Sequence, residues 1–78
     1  HLGKTEEAIK LFQFGISVQP AHEPFYLNLA KLHANENRFS NAINILRQYQ
    51  VINANSKEAK KLLKAIEQKA HAATPVKG

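Results

Sequence analysis

The chain has no cysteine and no aspartate, only three glycines and three prolines in 78 residues, and no apolar run approaching a bilayer's thickness. Each absence removes a class of protein. Without cysteine there is no disulfide framework, no thiolate nucleophile and no cysteine-held zinc. Four histidines remain, but none of them stands in an H-E-x-x-H zinc-binding motif. No glycine-rich phosphate loop and no nucleophile elbow occur either. We therefore assign no catalytic or metal-ligating residue, expect no cofactor, and do not read the chain as an enzyme. A membrane span needs about 20 consecutive apolar residues, so none is predicted, and no charged-then-apolar leader opens the sequence. The chain begins with His1 inside a running pattern and is read as a piece of a longer protein.

What is present is an apolar fraction of 44%, ordinary for a globular chain and too high for a disordered one. At this size folding hides only about 60% of the unfolded surface, so the core is thin. The net charge of +5 is uneven: residues 1–40 carry four basic and four acidic side chains, residues 41–78 seven basic and two acidic. Such asymmetry marks the second half as a surface for acidic partners.

Apolar spacing predicts four helices. Ala8, Ile9, Leu11, Phe12, Gly15, Ile16 and Val18 recur at three-and-four intervals, giving a first helix from Thr5 to Gln19 that Pro20 closes. A second starts near Glu23, tolerates Pro24 in its first turn, and carries Phe25, Tyr26, Leu29, Ala30, Leu32 and His33 on one side. Asn37 ends it, because asparagine enters the left-handed conformation readily. Phe39, Ala42, Ile43, Ile45, Leu46, Tyr49 and Ile52 make the third, stopping around Asn53 to Asn55. Asn55 or Ser56 then caps a fourth, with Glu58 placed for a capping box from Asn55. On that helix Ala59, Leu62, Leu63, Ile66 and Ala70 oppose Lys57, Lys60, Lys61 and Lys64. From His71 onward no pattern remains and fraying is expected.

Sliding the sequence by about 34 residues superimposes Gly3 on Asn37, Ala8 on Ala42, Ile9 on Ile43 and Phe12 on Leu46. The segment from Gly3 through Ala8, Phe12 and Gly15 to Pro20 resembles the second half of a tetratricopeptide repeat: turn glycine, small residue, aromatic, small residue, closing proline. Tyr26 and Leu29 match that family's opening aromatic and leucine, Ala30 stands for its glycine, and Ala42 and Leu46 repeat the second-helix pair. The resemblance implies an all-α fold of antiparallel helix-turn-helix units, a fragment of a right-handed superhelix. Half a repeat spans residues 1–22, a full repeat 23–56, a capping helix 57–70 and a tail 71–78. Lys60 stands where Tyr26 would recur, which makes the last helix a polar cap.

Three departures carry expectations. Ala54 replaces a closing proline, so the third helix is less firmly ended and free to extend. Tyr49 stands where a small residue is usual and is expected to displace the fourth helix, finding room against Ala59. The first helix of the first repeat is missing, which leaves Phe12, Gly15 and Ile16 partly uncovered.

In this family the first helix of each repeat lines a groove for partners. The resemblance carries that role to Pro24, Leu27, Asn28, Lys31 and Asn35, with Lys61 adjoining, and wheel geometry places the second-helix residues opposite Tyr26 and Leu29. Asn28 falls at one asparagine place of a carboxylate clamp found in some members, which alone does not imply a clamp. His33, in the second aromatic place, is read as a packing residue. The expected function is binding of a protein or peptide partner. One alternative is a basic accessory domain touching RNA or an anionic surface through the lysine face, although that helix has no stacking aromatic and a terminal repeat needs a polar face for solubility. Nucleic acid is accordingly not the expected partner. Another is self-association through the uncovered first helix, where Phe14 lies off the buried stripe.

Overall fold

A computed structural model describes residues 2–73 and contains four helices: α1 (Leu2–Val18), α2 (Glu23–Asn35), α3 (Phe39–Ile52) and α4 (Lys57–Ala73). They form a slab of 45 × 34 × 13 Å in which α2 is central, packing against α1, α3 and α4. Among the described helices the backbone of α1 runs along α2 alone.

The turn after α2 is the clearest link from sequence to shape. Asn37 has φ 62°, the left-handed value that asparagine tolerates. The reversal lets Asn37 N–H donate to Ala34 C=O (3.0 Å) and Arg38 N–H to His33 C=O (2.8 Å), a Schellman pair that satisfies the last carbonyls of α2. Gly3, its counterpart by register, behaves differently: it lies within α1, which begins three residues before the expected Thr5. Glycine accepts either conformation, and among the described residues no helix precedes it to be closed.

Between α3 and α4 the missing proline has no effect on length, because Asn53 stops α3. Its backbone turns to φ −140°, ψ 86°, its side-chain oxygen accepts from Asn55 N–H (3.2 Å), and its carbonyl accepts from Ser56 N–H (3.3 Å). The extension expected from Ala54 does not occur. Ser56, and not Asn55, caps α4: its Oγ accepts from Ala59 N–H (3.1 Å) while its hydroxyl donates to Glu23 Oε1 (2.8 Å). The acid that completes the cap thus comes from α2, and the local Asn55 to Glu58 box is replaced by a bond that ties the starts of α2 and α4. At the other end α4 continues past Ala70 to Ala73, since alanine is the best helix former and His71 sits at the negative helix terminus. The remainder of the expected tail, residues 74–78, lies outside the described residues.

Two apolar groups hold the slab. Leu46, fully buried, packs with Ala30, Ala34, Ala42 and Ile66, flanked by Phe39, Ile43, Leu62 and Leu63. Tyr49 joins Tyr26 and Ala59, with ring centroids 4.9 Å apart and planes at 37°. Ala59 supplies the room that the tyrosine needs, as its small side chain suggests. Tyr26 also donates from its hydroxyl to Pro20 C=O at 2.7 Å, which fixes the α1–α2 turn.

Phe12, Gly15 and Ile16 are half-buried, which agrees with their expected partial exposure: Phe25 lies against Phe12 and Gly15 from α2, and Ile16 packs against the group of Tyr26, Tyr49 and Ala59. Leu11 (70%), Phe14 (68%) and Val18 (60%) are more exposed. Leu11 and Val18 belong to the apolar wheel of α1 but stand on its outer sector, where with Phe14 and Phe25 they border a shallow open depression.

Candidate partner-binding groove

On α2, burial of Tyr26, Leu29, Ala30 and His33 turns Lys31 and Asn35 outward and leaves Leu27 half-buried at the edge. On α4, Ala59 and Ile66 are buried, which rotates Lys61, Ala65 and Lys69 toward the same side. The two helices meet at their starts through the Ser56–Glu23 bond and enclose a trough between these faces.

The trough contains three depressions. One of about 340 Å³ is lined by Leu27, Lys31, Glu58, Lys61, Leu62 and Ala65. A narrower one of about 100 Å³ adds Ala34, Asn35, Ile66 and Lys69. A third of about 400 Å³ lies beyond, against Asn35, Asn37, Phe39 and Ala72. Of the residues expected to line a groove, Leu27, Lys31, Asn35 and Lys61 are brought together here. Asn28 and Pro24 are exposed and line none of the three, which removes the asparagine of a carboxylate clamp from this trough.

Nine of the thirteen lining residues were not expected at a groove, Glu58, Leu62, Ala65 and Lys69 among them. At 100° per residue Lys61, Ala65, Glu58, Lys69 and Leu62 follow one another around one edge of the α4 wheel, between the lysine face and the buried face. That edge was visible as a boundary. Its apposition to α2 depends on the angle between the helices, which no local pattern encodes.

Lys31, Lys61 and Lys69 are exposed, and none takes part in an ion pair among the described residues. The ion pairs that do form lie elsewhere, Arg38 with Glu6 at 2.9 Å and Arg47 with Glu67 at 3.6 Å. Charge on the rim is therefore cationic, with Glu58 the acid at one mouth. Among the described residues no group of three or more His, Cys, Asp or Glu side chains is placed to hold a metal ion, and no helix is long and apolar enough to cross a membrane.

A family model described as tetratricopeptide repeat matches residues 1–66, spanning α1 to α3 and the first half of α4. The chain belongs to the tetratricopeptide repeat family. Its repeats are non-catalytic modules that generally mediate protein–protein interaction. No curated protein and no solved structure matches the chain.

Within this tetratricopeptide unit His33 has a second property besides packing. It is 6% exposed and its Nδ1 is buried without a hydrogen-bond partner. Burial, aided by the Arg38 guanidinium and opposed by Glu6, holds its pKa below the ordinary value of 6.5. The folded chain keeps the imidazole neutral while the unfolded chain protonates it, so stability is complete above pH 6.5 and falls as pH drops from there toward the folded pKa. We expect the urea midpoint to decline between pH 7.5 and 5.5, above the carboxylate range, and the decline to flatten in His33→Phe. Equal slopes in both proteins would exclude His33 as the cause.

Proposed function

We propose that this chain is a protein-interaction module that binds a segment of a partner protein along the trough between α2 and α4. The observation that carries the reading is the convergence of Leu27, Lys31, Asn35 and Lys61 with Leu62, Ala65 and Lys69 on one concave, apolar-floored and cationic-rimmed surface. A trough of this kind offers burial of a few apolar side chains and steering by charge, which together correspond to affinity near micromolar, about −8 kcal/mol.

The test uses peptides selected from a random displayed library on the whole chain. Their affinities are then measured for the parent and for a Lys31→Glu, Asn35→Ala double variant. Both positions are exposed, so the variant should fold, and we expect affinity to fall about tenfold, roughly 1.4 kcal/mol. Unchanged affinity across the selected peptides would remove the trough from the function.

A further inference from the structure

If the trough is the binding surface, its shape and charge narrow what fits it. The three depressions are one channel, because Lys31, Leu62 and Ala65 border both the first and the second, and Ala34, Asn35 and Lys69 both the second and the third. Along α4 the lining runs from Glu58 to Ala72, about 21 Å at 1.5 Å per residue. A helix of about 14 residues has that length, and an extended segment of about six residues would also reach.

Backbone chemistry separates the two. An extended segment lying in an apolar trough must find partners there for its own N–H and C=O groups. The trough's walls are helices, whose backbone groups bond internally, and the amides that line it, Asn35 and Asn37, sit together at one end. A helix brings its hydrogen bonds with it and needs only an apolar face. The small side chains Ala34, Ala65 and Ala72 along the channel let such a helix approach closely. Lys31 borders it from α2, Lys61 and Lys69 from α4, so positive charge stands on both sides.

We infer that the groove takes an amphipathic partner helix of about four turns, apolar toward Leu27, Leu62 and Ala65 and acidic along both edges. This rests on the trough being the site of binding. Glu58 marks the mouth at which the partner carries no acid.

Three synthetic helical peptides of about 14 residues, sharing one apolar stripe and edged with Glu, Gln or Lys, test it by fluorescence anisotropy against the whole chain. The Glu-edged peptide should bind about tenfold more tightly than the Gln-edged one and the Lys-edged one least, with the advantage shrinking from about 50 to 300 mM salt. A proline-broken form of the Glu-edged peptide should bind about tenfold more weakly. Lys31→Glu with Lys61→Glu should cancel the preference for Glu edges, so that the Glu-edged peptide binds no more tightly than the Gln-edged one. Ala65→Phe, which fills the trough from an exposed position, should block all binding. Equal binding by Glu- and Gln-edged peptides, or by the broken peptide, with blockage by Ala65→Phe, overturns the acidic helix and leaves the groove standing. No binding by any peptide, or binding that Ala65→Phe does not change, overturns both.

Discussion

Leu46→Ala is expected to lower the unfolding free energy by about 2–5 kcal/mol. A chain of this size has a total of only about 4–12 kcal/mol, so a large share of the fold's stability rests on one side chain. Leu46 is 0% exposed, and three of its buried neighbours are Ala30, Ala34 and Ala42. Alanines have no rotamers with which to fill a void, and they sit on helix backbones that cannot collapse without breaking other contacts. The cavity should therefore persist and the cost should lie toward the upper end. Urea unfolding followed by circular dichroism measures it. A loss under about 1 kcal/mol would mean that the α2–α3 core is looser than described.

The second large effect is expected at Gly15. A Cβ there would lie 2.8 Å from Phe25 Cε2, 2.9 Å from Cζ and 3.0 Å from Cδ2. The Phe25 ring lies against His22 (centroids 4.4 Å apart) with Phe12 on another side at 6.5 Å, so moving it aside disturbs both contacts. Alanine would recover about 1 kcal/mol of helix propensity and blur the outcome. Valine brings more bulk and little propensity, so Gly15→Val should cost about 1–3 kcal/mol. Because α1 runs along α2 alone, the damage should be local: faster amide exchange in α1 with protection retained in α3 and the first turns of α4. Uniform loss of protection, or none, would contradict the packing described for that pair.

These sites also show what local sequence can and cannot carry. The four helices, the left-handed Asn37 and the burial of Tyr26, Leu29 and Leu46 follow from periodicity and turn chemistry, which act over a few residues. Gly3 was misread because a glycine permits the turn without demanding it. The cap of α4 depended on Glu23, 33 residues away from Ser56. Leu11 and Val18 look like core on a wheel, yet a wheel does not say whether a neighbour exists. The groove divides the same way. Leu27, Lys31 and Asn35 border the trough where the repeat register puts them and Pro24 and Asn28 do not, while Glu58, Leu62, Ala65 and Lys69 enter only through the angle at which α4 crosses α2.

Residue-resolved amide shifts on titration with the Glu-edged helical peptide test the groove most directly. The account predicts saturating changes at Leu27, Lys31, Asn35, Lys61, Ala65 and Lys69, with Leu11, Phe14 and Val18 unmoved. Changes confined to the exposed face of α1, or to Lys57, Lys60 and Lys64 on the outer face of α4, would contradict it.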